Sequence, residues 1–129
     1  MAPELFTNKG YRGEAADIFA LGVVLFAMMM GRPPFRMADL NDPYYRLICS
    51  SQFEEFWEPW DLFANRYGFA IPNDFKNLFI SMVSYYPAMR LSISEVAMSP
   101  WVQGQTPESS EVYEYMSLLK YQLQFYSQQ

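Results

Sequence analysis

An unbroken run of apolar residues occupies positions 18–30, directly after Asp17 and directly before Gly31. The run would be apolar on every side of a helix, which is typical of a helix that other elements surround. It is shorter than the roughly 18 to 20 residues that a membrane-spanning helix needs. Gly31 offers a left-handed helix end, and Pro33 and Pro34 prevent continuation. The sequence therefore predicts a buried central helix over residues 15–30.

Three further segments carry helix signals. Asp42 before Pro43 predicts a short helix over residues 43–49, with a polar cap and proline in the first turn. Apolar residues three and four positions apart predict an amphipathic helix over residues 73–85, which Pro87 would end. Ser92 and Glu95 form a capping-box pattern at the start of another short helix, which Pro100 would stop.

The remaining stretches complete the predicted organisation. Residues 50–72 are aromatic and acidic and are expected to fold over the core, although the sequence does not resolve their structure. Residues 103–110 are polar and predict a linker, and residues 111–129 are predicted to form a helical tail. Alternating strand patterns are almost absent. The predicted fold class is all-α.

Composition excludes several kinds of chemistry. The chain has no histidine, which excludes Ser–His–Asp and Cys–His catalysis and histidine-based metal sites. Cys49 is the only cysteine and cannot form a disulfide framework, which fits a reducing compartment. The net charge of −5 includes no basic stripe, so neither nucleic acid nor an anionic membrane is an expected partner. The first residues lack the pattern of a secretory signal, and the expected location is the cytoplasm.

Four motifs resemble the eukaryotic protein kinase family over residues 1–102, in their order and in their spacing. They are Ala-Pro-Glu at 2–4, Asp-Ile-Phe-Ala-Leu-Gly at 17–22 with Gly-Arg-Pro-Pro-Phe at 31–35, Tyr-Pro-Ala-Met-Arg at 86–90, and Ser-Pro-Trp at 99–101. Phe19, Tyr86 and Ser99 replace the family's Trp, Asp and His, which are packing or capping residues. The resemblance implies the helical C-terminal portion of the kinase large lobe, without the N-lobe or the catalytic loop.

The resemblance also implies structural tasks for three charged residues. The family's counterparts of Glu4 and Arg90 form an ion pair, whereas the residues alone suggest two unrelated surface charges. Asp17 alone suggests a carboxylate favoured by the dipole and free amides at a helix start. By resemblance, Asp17 would accept backbone hydrogen bonds from the catalytic loop and anchor it.

Two surfaces are candidates for binding a partner protein. Tyr44 and Tyr45 lie on the helix that in many kinases helps to hold protein substrates and regulators, so the resemblance implies a partner surface there. The acidic residues of segment 54–61 suggest a carboxylate pair for hydrolysis, a docking surface for basic segments, or simply a solvated face. Their spacing does not fit a calcium-binding loop.

The residues that kinases use for phosphoryl transfer do not occur in this sequence. Kinase chemistry needs a Gly-rich loop, a lysine, a catalytic aspartate, an asparagine and a metal-binding aspartate, all of which the family places before Ala-Pro-Glu. We therefore expect no catalytic, cofactor-binding or metal-binding residue here, and no activity from this chain alone. ATP and Mg are implied only for the complete kinase.

Two functions follow as expectations. The first is a fragment, or a truncated gene model, of a serine/threonine protein kinase whose complete form binds ATP and transfers its γ-phosphoryl group to protein serine or threonine. The alternative is a kinase-derived binding module or pseudokinase remnant that has no catalytic activity. In both cases the expected partner is a protein substrate or a regulatory protein.

Overall fold

The computed structural model describes residues 1–6 and 13–104, and every regular element in these two ranges is helical. The α-helices are α1 (Gly13–Met30), α2 (Pro43–Cys49), α3 (Phe53–Arg66), α4 (Asn73–Met82), α5 (Ile93–Ala97) and α6 (Pro100–Gln103). Short 3-10 helices cover Pro3–Phe6 and Pro87–Met89. The predicted all-α class is confirmed. The predicted tail over 111–129 lies outside the described residues, as does most of the predicted linker, and both stay predictions.

Helix α1 is the centre of the described fold. Its buried residues recur every three or four positions and pack against α4 and the aromatic side chains of α3. Gly31 ends the helix with a φ of +75°, a conformation that glycine adopts without strain. The predicted helix and its glycine stop are confirmed, and the helix starts two residues earlier than expected.

One side of α1 is exposed, although the sequence suggested cover on all sides. Ala20, Val24 and Met28 lie along this side, and Val24 and Met28 are 50% and 55% exposed. By length and a mean hydropathy of 1.7, α1 could also cross a membrane, but the core helix of a globular protein passes the same test. The buried side of α1 packs into the core, as in a globular protein.

An aromatic cluster joins α1, α3 and α4. Phe26 is fully buried, and its ring centroid lies 4.8 Å from that of Trp60 and 4.9 Å from that of Phe79. Phe56 and Trp57 complete the cluster at 6.3 and 5.9 Å from Phe26. Rings at these separations stabilise a core beyond the area they bury. The aromatic segment after residue 50 therefore folds over the core, as expected, and it does so as helix α3.

Helix α4 ends at Met82, before the predicted end at residue 85. The next three carbonyl oxygens accept hydrogen bonds from side chains instead of from helical amides. Tyr45 Oη donates to Val83 O at 3.1 Å, and Arg90 donates to Ser84 O at 2.8 Å and to Tyr85 O at 3.4 Å. Pro87 has no N–H to donate to Val83 O, so the predicted proline stop acts together with these side-chain contacts at the end of the helix.

Gly22 allows α1 and α4 to approach each other closely. A Cβ atom at this position would lie 3.0 Å from Met82 Cβ and 3.1 Å from Val83 Cγ1. Met82 Cβ is fixed to the backbone of α4, so relieving the contact requires a movement of the helix. A side chain longer than hydrogen therefore does not fit here.

We expect Gly22→Ala to destabilise the fold by up to about 2 kcal/mol. Overpacking costs about 1 to 3 kcal/mol, and the higher helix propensity of alanine returns at most about 1 kcal/mol. Gly13→Ala is the matched control, because a Cβ atom at Gly13 meets nothing within 4 Å. Urea denaturation of both variants measures the difference. A Gly22→Ala protein as stable as Gly13→Ala would contradict the close packing.

Candidate functional site

A buried ion pair connects the beginning of the chain to the loop after α4. Glu4 lies in the 3-10 helix Pro3–Phe6, and Arg90 follows the 3-10 helix Pro87–Met89. Arg90 Nη1 donates to Glu4 Oε1 at 2.6 Å, and Nη2 donates to Oε2 at 2.7 Å. The side chain of Arg90 is fully buried, and that of Glu4 is 10% exposed. The structure thus brings together two residues that are 86 positions apart.

Arg90 also binds three carbonyl groups in two stretches of backbone. Besides its bonds to Ser84 O and Tyr85 O, Nη1 donates to Ala15 O at 2.9 Å. Together with the two bonds to Glu4, these hydrogen bonds use all five N–H groups of the guanidinium. The guanidinium carbon lies 4.9 Å from the ring centroid of Phe19, which is a cation–π distance. Phe19 thus replaces the family's tryptophan, and its aromatic ring packs against Arg90.

The pKa of Glu4 reflects this environment. Burial by itself would raise the pKa, but the hydrogen bonds from Arg90 and from the backbone N–H of Glu4, together with the charge of Arg90, outweigh it. The pKa of Glu4 therefore lies below its ordinary value of 4.5. Because the native state binds this proton less readily than the unfolded chain, the ion pair stabilises the fold above that value and is lost as the pH falls through the native pKa.

We expect the stability difference between the parent protein and Glu4→Gln to shrink as the pH falls below 4.5. Near neutral pH the difference should be constant, because Glu4 is ionised in both the folded and the unfolded parent. Urea denaturation of both proteins at pH 7, 5, 4 and 3 measures it. Asp42 also has a lowered pKa, but it is present in both proteins and cancels in the comparison. A difference that stayed constant down to pH 3 would contradict the assignment.

Asp17 lies in the second turn of α1, and Glu14 occupies the first. Our expectation that Asp17 binds the free amides of the helix start is therefore wrong, because the helix begins at Gly13. The carboxylate of Asp17 is exposed and makes no hydrogen bond or ion pair within the described ranges. It follows the same side of α1 as the exposed Ala20, Val24 and Met28. Its proposed task in anchoring a catalytic loop stays a prediction.

The two tyrosines of α2 have different environments. Tyr44 is 47% exposed and could contact a partner. Tyr45 is fully buried, and its hydroxyl group donates to Val83 O. Burial raises the pKa of the Tyr45 phenol well above its ordinary value. The prediction that Tyr45 belongs to a partner surface is therefore wrong, because consecutive residues of a helix point in different directions and Tyr45 points into the core.

Asp42 is a buried structural residue whose full task the sequence did not reveal. Its Oδ1 accepts hydrogen bonds from Tyr44 N at 2.9 Å and Tyr45 N at 3.1 Å, which confirms the predicted cap of α2. Its Oδ2 accepts from Arg36 N at 2.9 Å and Met37 N at 3.2 Å. One carboxylate thus fixes both α2 and the loop that leads to it.

The acidic residues of segment 54–61 lie on α3. Glu54, Glu55 and Glu58 are exposed, and Asp61 accepts a hydrogen bond from Lys76 Nζ at 2.8 Å. Within residues 1–6 and 13–104, no group of three or more Asp, Glu, Cys or His side chains could hold a metal ion. The structure therefore places these acids on the surface of α3, and their use as a carboxylate pair stays a prediction.

The two other departures from the family pattern change local contacts. Tyr86 is 67% exposed and supplies no side-chain cap to the 3-10 helix that follows it. Ser99 is buried, and its hydroxyl group donates to Val96 O at 2.7 Å instead of capping α6. By contrast, the capping box predicted for Ser92 and Glu95 is confirmed, with both hydrogen bonds present.

Comparisons with known proteins agree with the motifs. The family model described as protein kinase domain matches residues 1–102. CBL-interacting protein kinase 10 of Oryza sativa subsp. japonica is 32% identical over 101 residues, which are 78% of this chain and 20% of that protein. CBL-interacting serine/threonine-protein kinase 9 of Arabidopsis thaliana is 33% identical over 110 residues, which are 84% of this chain and 22% of that protein.

A third relative extends the match beyond plants. Calcium/calmodulin-dependent protein kinase cmkA of Emericella nidulans is 31% identical over 111 residues, which are 86% of this chain and 24% of that protein. The chain thus spans about a fifth to a quarter of the length of these three curated relatives.

Proposed function

The chain belongs to the protein kinase domain family, and from that premise we propose that it is the C-terminal part of the large lobe of a serine/threonine protein kinase. In this proposal the complete protein binds ATP with Mg and transfers the γ-phosphoryl group to serine or threonine of a protein substrate. This segment supports the active site from below and contributes part of the substrate-side surface. The names of the similar proteins support serine/threonine specificity.

The exposed side of α1 is the observation that carries the proposal. Asp17 offers a carboxylate there without a contact in the described ranges, next to an apolar stripe formed by Ala20, Val24 and Met28. An exposed apolar stripe beside a carboxylate is suited to cover by another protein segment whose backbone amides need an acceptor. In the complete kinase, the catalytic loop and the helix before it would provide that cover.

The Glu4–Arg90 ion pair supports the proposal in a second way. In the family, the Ala-Pro-Glu motif closes the activation segment, so the pair would fix the end of that segment against the loop that follows α4. A bidentate and buried arginine–carboxylate pair defines one geometry better than a single point charge does. The position of the activation segment relative to α1 would depend on this pair.

The described residues do not fit a site for ATP or Mg. Their acidic side chains do not form a metal-binding group, and the chain contains no Gly-rich loop with a partner lysine. Nucleotide binding and phosphoryl transfer would therefore depend on residues outside this chain. A ligand that binds the native state raises the melting temperature. Because we expect no nucleotide site in the 129-residue chain, Mg-ATP should leave its melting temperature unchanged.

The decisive experiment uses the reading frame that precedes Met1. The proposal expects this frame to continue and to encode the missing kinase motifs, and the longer protein to transfer labelled phosphate from ATP to serine or threonine. In that protein, Asp17→Asn should lower kcat by up to about 100-fold, because a displaced catalytic loop misplaces the reacting groups. Glu14→Gln, one turn earlier on α1, is the matched control and should leave kcat unchanged.

The same experiment tests the alternative, a binding module derived from a kinase. An in-frame stop codon directly before an authentic start, or a longer protein without phosphoryl transfer, would contradict the proposal and favour the binding module. A rise in melting temperature of the 129-residue chain with Mg-ATP would contradict both functions as described here.

A further inference from the structure

An open groove of about 990 Å³ lies between α3 and α4. Its apolar lining comes from Phe53, Trp57 and Leu62 of α3 and from Ile80 of α4. Leu62 is 66% exposed and Phe53 is 37% exposed, so part of the apolar lining is open to solvent. A groove of this size and lining suits several side chains of a bound segment.

Uncompensated negative charge borders the groove. Glu54 and Glu58 are one turn apart on α3 and line it together. Neither makes an ion pair or a side-chain hydrogen bond with another residue in the described ranges. Glu55 follows Glu54 in the sequence and is also exposed, but it does not line the groove. The negative charge that faces the groove therefore comes from one side of α3.

The cation in the groove is already engaged. Lys76 Nζ lies 2.8 Å from Asp61 Oδ2 and 5.5 Å from the ring centroid of Trp57. Lys76 is the only basic residue among those that line the groove. Since its charge is balanced by Asp61, the carboxylates of Glu54 and Glu58 remain available to positive groups of a ligand.

From this arrangement we propose that the groove between α3 and α4 binds a short segment of a partner protein in which apolar side chains are flanked by lysine or arginine. The apolar side chains would contact Leu62, Ile80 and the edge of Trp57. The flanking cations would pair with Glu54 and Glu58. This proposal does not rest on phosphoryl transfer by a longer protein, since both the groove and the charges belong to this chain.

Charge complementarity favours a basic peptide segment over nucleic acid, a membrane or a second copy of the chain as the occupant of the groove. Nucleic acids and anionic membranes would be repelled by Glu54 and Glu58, and they would find no basic stripe nearby. A second copy of the chain carries the same net charge of −5, so that association of two copies is opposed by repulsion. A basic and apolar peptide segment meets both features of the groove.

Fluorescence anisotropy with three labelled ten-residue peptides tests the proposal on the full 129-residue chain. The first peptide has two central leucines flanked on each side by lysine and arginine. The second replaces the basic residues with glutamate, and the third replaces the leucines with serine. We expect the first peptide to bind more tightly than the other two, and its affinity to fall as salt is added.

Matched variants locate the binding. Glu54→Gln combined with Glu58→Gln should weaken binding of the first peptide about fivefold to tenfold, because two exposed charge pairs are lost. Glu14→Gln combined with Glu55→Gln removes the same charge outside the groove and should change the affinity by less than about twofold. Leu62→Ser should weaken binding, whereas Met98→Ser, at an equally exposed position outside the groove, should not. Circular dichroism checks that each variant is folded.

Four outcomes would overturn the proposal. The first is a failure of the basic and apolar peptide to bind, and the second is equally tight binding of the acidic peptide. The third is an equal loss of affinity in the groove variant and the charge-matched control, since the effect would then be one of net charge. Sedimentation that shows a dimer abolished by Leu62→Ser would assign the groove to a second copy and would also overturn it. None of these outcomes bears on phosphoryl transfer by the longer protein.

Discussion

Replacing Arg90 with alanine is expected to lower the free energy of unfolding by about 3 to 5 kcal/mol, because one partner of a buried ion pair is left behind without its counter-charge. Glu4 would keep a largely buried carboxylate. The carbonyl groups of Ala15, Ser84 and Tyr85 would lose their hydrogen bonds from the guanidinium at the same time. The buried face of Phe19 would also lose its cation.

Urea denaturation at pH 7 measures this change. Arg36→Ala is the control, because Arg36 is exposed and, among the described residues, only its backbone N–H takes part in a hydrogen bond. We therefore expect a change within about 0.5 kcal/mol. Combining Arg90→Ala with Glu4→Gln completes a double-mutant cycle that isolates the coupling between the two side chains. A loss below about 1 kcal/mol in Arg90→Ala would contradict the importance of the pair.

The helix ends that local chemistry determines were predicted from the sequence. Asp42 before Pro43, Ser92 with Glu95, and Gly31 each act within a few residues of the chain, so the sequence contains the whole signal. The end of α4 was not predictable in this way. The carbonyl groups there accept hydrogen bonds from Arg90, five and six residues further along the chain, and from Tyr45, 38 positions earlier, and no local pattern indicates these contacts.

Helix α3 shows a second limit of local signals. Pro59 lies inside this helix, where proline removes a backbone hydrogen bond and argues against helical structure. Tertiary packing outweighs that cost, because Phe56 and Trp57 enter the aromatic cluster around Phe26. This packing depends on residues of α1 and α4, so the sequence of segment 50–72 alone does not predict it.

The candidate site was predictable only in part, and for different reasons. The pairing of Glu4 with Arg90 came from the resemblance to kinases, because nothing in the local sequence joins residues so far apart. The separate environments of Tyr44 and Tyr45 depend on how α2 is rotated relative to the core. Asp42 connects the start of α2 to Arg36 N and Met37 N, and the hydrogen bond from Tyr45 to Val83 O connects the helix to the core.

The second large effect is expected at Asp42. Asp42→Ala should lower the free energy of unfolding by about 2 to 4 kcal/mol. Loss of the helix cap accounts for about 1 kcal/mol, and the amides of Arg36 and Met37 lose their acceptor in a partly buried loop, which adds about 1 to 3 kcal/mol. Asp42→Asn should lie between the parent and the alanine variant. An amide group has one acceptor oxygen, so its NH2 group would face either the helix amides or the loop amides.

Urea denaturation of both variants, with Asp39→Ala as the control, measures this order. Asp39 lies in the same loop, but its side chain accepts one hydrogen bond, from Asn41 N at 2.7 Å, so its loss should cost about 1 kcal/mol. An Asp42→Asn protein as stable as the parent would show that one oxygen is sufficient and would contradict the double task of the carboxylate. The expected order would instead show that the two oxygens of Asp42 act together, one on the start of α2 and one on the loop before it.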